Sequence, residues 1–181
     1  LHVTSVVNAY DDGKSTGVIR RFFGMLGPSD IRKVQELMLP KDDPEHENYV
    51  TLFQYRFPLD CNREDILEQL ELFLDSESME LMGIHLSNIR VREKLKYFLA
   101  AFLTGLNTIE KARQEQFDFA DCSIMNCLYA GAFLASNRNI EQVTIIVDQL
   151  FQLRGIVLPT SIEDKKLVAQ RENGEILYSE A

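Results

Sequence analysis

The sequence predicts an α/β fold, with a Rossmann-like parallel sheet and flanking helices, on three observations. Residues 3–7 (VTSVV) have the valine- and threonine-rich composition of a buried strand. That run breaks at Asp11-Asp12-Gly13 and passes through Lys-Ser-Thr-Gly into an apolar-periodic segment from Val18 to Leu26. Strand, polar glycine-containing turn and helix, in that order, put a ligand crevice at the carboxyl end of the strand, facing a helix N-terminus. A series of helical segments then leads to a second extended stretch at Val157–Thr160.

After the first helix, Pro28-Ser29-Asp30 opens a second one, with Ile31, Val34, Leu37 and Met38 at helical spacing and Pro40 at its end. Lys41–Asn48 is a polar loop. Tyr49–Phe57 (YVTLFQYRF) fits helix or strand, being apolar, aromatic and β-branched. Asn62 and Asp65 form a capping pattern before Ile66, Leu67, Leu70, Phe73 and Leu74, an apolar helical face. Asp75–Glu80 reads as an acidic solvated loop. His85–Thr108 is the longest helical candidate; Gly105 and Asn107 mark its end, and a separate helix covers Ile109–Gln116. His85 itself has no partner at metal-ligand spacing and reads as a polar end residue. Further helices are expected at about 122–136 and over Asn139–Leu153, closed by Gly155. Lys166–Arg171 and Glu175–Ser179 flank Asn173-Gly174, a hairpin signal. With no repeat or low-complexity linker, one domain spanning 1–181 is expected.

The chain carries 28 acidic and 19 basic residues, a formal charge of −9. That balance argues against a nucleic-acid polyanion as partner but leaves room for a mononucleotide, which needs only a few local cations. Cys61, Cys122 and Cys127 make neither an even disulfide framework nor a CxxC pair. They read as small buried residues of a reducing cytoplasm. The most apolar stretch, Tyr97–Leu106, is far shorter than a membrane span, and there is no signal-peptide pattern. A soluble cytoplasmic protein is expected. The sequence opens at Leu1 inside a strand-like run, which predicts that it is part of a longer polypeptide.

Chemistry concentrates in residues 11–32. A carboxylate at the strand end suits Mg²⁺, which takes one or two carboxylates plus phosphate oxygens and water. Asp11 and Asp12 are the metal and catalytic candidates, and strand geometry lets only one of them reach the crevice. Gly13 and Gly17 permit positive φ and close backbone approach. Ser15 and Thr16 cap the helix or offer hydroxyls to a phosphate. Arg20, Arg21 and Arg32 supply guanidinium forks matched to phosphate, and Asp30 joins Arg32 near the start of the second helix. The same residues also suit a plain surface turn, with Asp as turn former and the arginines in solvent.

DDGKSTG at 11–17, followed by Arg20 and by GPSDIRK at 27–33, resembles the family of the 2-phospho-L-lactate transferase CofD and the related gluconeogenesis factor. That family shows a DDGGSSG-type turn and a PPGDIRN-type segment. The C-terminal stretch RGIVLPTSIEDKKLVAQRENGEILYSEA resembles its GRVLP-type loop, LxAxxxDG hairpin and GE pair, here Ser179-Glu180. The resemblance implies that Ser123 and Asn126 line a nucleotide pocket, where the family's HSLGN-type motif reads Cys122-Ser123-Ile124-Met125-Asn126. Ser123 as a helix cap and Asn126 as a packing residue is the competing assignment. The family's YRF segment beside the nucleotide adds Tyr55 and Arg56 as weaker candidates. Cys122 for His, Met125 for Gly, and Lys14, Ser29 and Lys33 at other motif positions separate this chain from the standard pattern. The block 58–116 has no match in short family members; it reads as a helical middle insertion that serves packing, a lid or an oligomer contact. The family's Gly-rich phosphate turn after an earlier strand has no counterpart in the sequence.

The resemblance implies two functions. One is transfer of a phospho-linked group from a guanosine diphosphate donor with Mg²⁺, in which Asp11 or Asp12 binds metal or acts as base and Arg20 and Arg32 hold phosphate. The other is a non-catalytic nucleotide-sugar-binding regulator of carbon flow or cell-wall supply. Phe22, Phe23, Phe117 and Phe119 are the rings available for a flat acceptor, although core packing is their commoner use. A purely structural domain would leave DDGKSTG and its arginines without a role.

Overall fold

The computed structural model describes residues 3–11, 13–163 and 168–177. β1 (Val3–Val7) leads through a turn into α1 (Lys14–Phe23). α1 starts four residues before its apolar period, because Gly13 (φ −77°, ψ 149°) ends the extended chain and serves as N-cap. Gly17 therefore lies inside the first turn of α1, and neither it nor Gly13 adopts the positive φ expected of them. The glycine that the turn needs is Gly27. Its N–H donates to the Ala9 carbonyl at 2.9 Å, and a Cβ there would lie 2.6 Å from the Asp11 carbonyl oxygen.

α1 stops at Gly24, whose left-handed conformation (φ 62°) returns its N–H to the Arg20 carbonyl. α2 (Ser29–Leu37) and α3 (His46–Gln54) follow. The ambiguous 49–57 stretch divides: α3 ends at Gln54, and Tyr55–Phe57 runs extended beside residues 122–124. There Phe57 N–H donates to the Cys122 carbonyl (2.9 Å) and Ile124 N–H to that of Tyr55 (3.3 Å). α4 (Arg63–Leu74) begins where Asn62 accepts from the amides of Glu64 and Asp65. A small hairpin, β2 (Glu80–Leu81) with β3 (Ile84–His85), begins at the end of the expected Asp75–Glu80 loop and takes in His85, which therefore does not open the long helix as expected.

α5 (Ile89–Arg113) is one helix of 25 residues, not two. Gly105 and Asn107 do not end it. Gly105 instead gives its bare Cα surface to Leu134, whose Cδ1 would lie 2.3 Å from a Cβ. α6 (Ile124–Ala135) and α7 (Ile140–Leu150) precede β4 (Gly155–Pro159). β5 (Ala169–Gln170) and β6 (Ile176–Leu177) make the hairpin around Asn173-Gly174. Its predicted outer residues, and the carboxylates Asp164 and Glu180, lie outside the described residues.

β1 and β4 pair in parallel, from Val3 opposite Gly155 to Val7 opposite Pro159, with helices packed on them. This gives the α/β architecture with flanking helices that the sequence predicts. β1 is less buried than its composition suggests: Val7 is covered, whereas Val3 and Val6 are exposed. α6 is the centre of the molecule. Every residue from Ile124 to Phe133 is buried, as a helix apolar on all sides requires. α5 runs along it, so this part of the 58–116 block belongs to the core. Phe22, Phe23, Phe102, Phe117 and Phe119 fill the space beside α6. Phe22–Phe117 and Phe117–Phe119 meet edge to face with centroids 5.1 and 5.0 Å apart. The four rings considered for an acceptor pocket are thus core residues. Cys122 and Cys127 are buried free thiols, and Cys61 is half-buried. No helix among the described residues is long and apolar enough to cross a membrane.

Candidate functional site

The N-termini of α1, α2 and α6 converge beneath the carboxyl end of β1. Thr16, on α1, shares a hydrogen bond with Ser29 at the start of α2. The Asn126 amide on α6 donates to the same Ser29 hydroxyl at 3.4 Å. From the 55–57 segment, Arg56 Nη1 donates to Ser15 Oγ (3.2 Å) and to the Asp121 carbonyl (2.6 Å), with the Asp121 carboxylate 3.4 Å away. Residues from four separate stretches of chain therefore meet within one polar cluster.

The helix caps set this cluster apart. α4, α5 and α7 are each capped by an asparagine side chain, Asn62, Asn88 and Asn139. α1, α2 and α6 have no side-chain cap, and their N-cap residues are Gly13, Pro28 and Ser123. α3 is also uncapped, its N-cap Glu45 being turned toward Ser87. Free amides and the positive dipole end of a helix favour an anion. Three helix ends meet here, although at α6 the first amide, Ile124 N–H, is taken by the Tyr55 carbonyl.

Ser123 is fully buried, and its hydroxyl makes no capping bond, so the sequence alternative in which it only caps α6 does not hold. Ser123 Oγ, Asn126 Oδ1 and Tyr129 OH recur at every third residue along α6, and all three are buried without a hydrogen-bond partner among the described residues. Arg32 Nε, on α2, is a fourth such atom. A buried polar atom left unpaired costs about 1–3 kcal/mol. Gln35 Oε1, His46 Nδ1, Tyr49 OH and Arg92 Nε are buried and unpaired as well, so the lack of a partner is not peculiar to this cluster. Arg32 is buried, with Nη1 donating to the Phe53 carbonyl at the end of α3. Burial, and then the neighbouring Arg56 charge, lower its pKa. The charge of Glu36 opposes this lowering.

The remaining candidates take several positions. Arg20 is buried and donates to the carbonyls of Tyr10 (2.8 Å) and Asp11 (3.2 Å), holding the turn in shape. Asp11 is half-buried; its Oδ1 accepts from Gly13 N–H at 3.1 Å, closing an Asx turn. Asp12 lies outside the described residues. Asp30 faces solvent and pairs with Lys33 at 3.1 Å, an ordinary i,i+3 contact. Tyr129 and Asp121 are the residues that sequence reasoning missed. Tyr129 sat in an apolar helix with no local signal, and Asp121 adopts an unforeseen left-handed φ of 54°.

No group of three or more His, Cys, Asp or Glu side chains forms a metal-sized cluster among the described residues. Mg²⁺ held jointly with a diphosphate needs only one or two carboxylates. Asp11 engages Oδ1 in its Asx turn, and its Oδ2 makes no hydrogen bond among the described residues, which is compatible with that need. The broad clefts between α5 and α7 (about 570 Å³) and beside α7 and β4 (about 660 Å³) lie away from the polar cluster.

The family model described as "2-phospho-L-lactate transferase CofD" matches residues 1–181. Two proteins named "Gluconeogenesis factor", from Listeria monocytogenes and Listeria innocua, are 47% identical over 60 residues. That match spans 33% of this chain and 17% of each relative. Two crystal structures of a Bacillus halodurans protein, in one case described as a member of the UPF0052 family, superpose with TM-score 0.58 at 19% identity. They align with 98% of this chain, which covers 38% of theirs.

Proposed function

The chain belongs to the CofD family, and on that premise we propose that its polar cluster binds the diphosphate of a nucleotide. The observation that carries this reading is the convergence of three helix N-termini without side-chain caps on buried, unpartnered polar atoms. The diphosphate lies against the amides of α1, α2 and α6, with Arg32 and Arg56 as its guanidinium partners. Ser15, Thr16, Ser123 and Asn126 complete its hydrogen bonds. Arg20 acts one layer out by fixing the turn that presents Asp11.

In the transferase reading the donor is a guanosine diphosphate compound. The acceptor hydroxyl oxygen forms a bond to phosphorus, the bond to the departing GMP oxygen breaks, and the hydroxyl proton passes to whichever of Asp11 and Asp12 does not hold metal. Positioning and neutralisation of phosphate charge are the protein's main contributions. Mg²⁺ would be held by one of these two carboxylates together with the diphosphate, and would supply further charge neutralisation. The second reading, a nucleotide-sugar-binding regulator without turnover, is supported by the likeness to the gluconeogenesis factors and by the closure of the four phenylalanines into the core. It uses the same diphosphate cradle.

Thermal unfolding with GDP, UDP-N-acetylglucosamine or neither, with and without Mg²⁺, separates the two. A ligand at a hundred times its dissociation constant adds about 2.7 kcal/mol, roughly 5–10 °C for a chain of this size. A Mg²⁺-dependent rise with GDP that is lost in Asp11→Asn supports the transferase. A rise confined to the sugar nucleotide supports the regulator, and no rise with either ligand refutes both.

A further inference from the structure

Arg56 is fastened at its backbone and unsettled at its side chain. The 55–57 segment is tied to the approach of α6 by two backbone hydrogen bonds, which fix where Arg56 emerges. Its guanidinium makes its contacts through Nη1 alone, to Ser15 Oγ, the Asp121 carbonyl and the Asp121 carboxylate. The remaining donors of the fork make no hydrogen bond among the described residues. The side chain is 37% exposed, and that of Asp121 is 36% exposed. Arg56 therefore reaches solvent over a site whose other cation, Arg32, is sealed beneath it.

Asp121 is the one carboxylate among the described residues that pairs with Arg56. Its left-handed backbone turns its carbonyl toward the guanidinium, so a single residue offers Arg56 both a carbonyl and a negative charge. Negative charge beside neighbouring arginines eases their repulsion: Glu36 acts on Arg32, and Asp121 pairs with Arg56.

We propose that Asp121 is a resident counter-ion that a ligand's phosphate displaces from Arg56, so that Asp121 sets the affinity of the site by competing with the ligand. The proposal rests on the diphosphate-binding reading above. Arg56 exchanges the Asp121 carboxylate for a phosphate oxygen and keeps its Ser15 and carbonyl contacts as a guide. Asp121 does not touch the ligand and acts through Arg56.

The test is calorimetric titration of the intact protein with GDP, and separately with inorganic pyrophosphate, at fixed ionic strength. Asp121→Asn removes the charge but keeps a residue that tolerates the left-handed conformation. An exposed ion pair of this kind is worth a factor of about two to five, so both probes are expected to bind about two- to fivefold more tightly to Asp121→Asn. Arg56→Gln weakens both, and in that background Asp121→Asn no longer changes the affinity. A merely structural role for Asp121 cannot produce a gain of affinity that depends on Arg56. Unchanged or weaker binding by Asp121→Asn, with GDP still bound by the wild type, overturns the counter-ion and leaves the nucleotide reading standing. Absence of binding by the wild type overturns both.

Discussion

Gly131→Ala lowers the stability of this protein by about 3 kcal/mol, at the upper end of the overpacking range. In a solvent-facing helix the same change is favourable by roughly 1 kcal/mol, because alanine is the better helix former. The sign reverses here because α6 lies against the backbone of α5. A Cβ on Gly131 would fall 1.9 Å from the Phe98 carbonyl oxygen, 2.8 Å from its carbon and 3.0 Å from Phe102 N. None of these atoms can rotate aside, so α5 itself must move, and it carries Phe98, Leu99 and Phe102 of the core with it. Thermal unfolding reads this as a fall of roughly 6–12 °C. Gly105→Ala is the control. Its new Cβ meets only the end of the Leu134 side chain, which can turn away, so its midpoint is expected to move by far less. Equal effects at the two positions would contradict the close backbone approach of α5 and α6.

A second large effect is expected at Asp148, the buried carboxylate that joins α7 to α2 and β4. Its Oδ1 accepts from Gln35 Nε2 at 2.6 Å and its Oδ2 from Val157 N–H at 3.0 Å. Asp148→Ala leaves two buried donors short of their acceptor, at about 1–3 kcal/mol each. Gln35 retains the Thr144 carbonyl at 3.2 Å, so the total falls below the sum. The same carboxyl gives a pH signature. Burial raises its pKa above the ordinary carboxylate value, and the hydrogen bonds from Val157 and Gln35 oppose this without cancelling it. A folded pKa above the unfolded one means that the folded state binds the proton more tightly. The contribution of this group is then complete below the unfolded value near 3.8 and is lost as pH rises through the folded value. Denaturant unfolding at a series of pH values should show wild type gaining on Asp148→Asn as pH falls from 7 toward 4. A constant difference would show that Asp148 does not titrate in this window.

Much of the scaffold is legible in the sequence because it follows period and caps. Asn62 reads as a cap and stands one residue before α4, whereas Asn88 and Asn139, which cap α5 and α7, fall within the helices that the sequence predicts; the apolar faces of α4, α5 and α7 follow at helical spacing. The failures have local causes. Gly105 reads as a helix end, although its use is tertiary, to let Leu134 approach. α2 is the most instructive error. Its apolar spacing points Leu37 inward, yet Leu37 is 82% exposed while Ser29, Arg32 and Gln35 are buried. A helix that buries its polar residues and exposes a leucine has been turned by what it faces, here the polar cluster and Asp148. Of the site, the strand–turn–helix arrangement and Arg32 were visible in sequence. Asp121 was not, since a left-handed φ at an aspartate leaves no mark in composition.

The most direct test of the diphosphate site is equilibrium titration of GDP into wild type and Arg32→Met. Methionine keeps the apolar stem of the buried side chain while removing the guanidinium, and the Phe53 carbonyl that loses its donor lowers stability by about 1–3 kcal/mol, so the comparison is made below the unfolding midpoint of both proteins. Hydrogen bonds to a charged group are worth about 1.5–3 kcal/mol, so the affinity is expected to fall roughly 10- to 100-fold. Saturable binding to the wild type that survives unchanged in a folded Arg32→Met protein would contradict the account, because the diphosphate would then sit elsewhere.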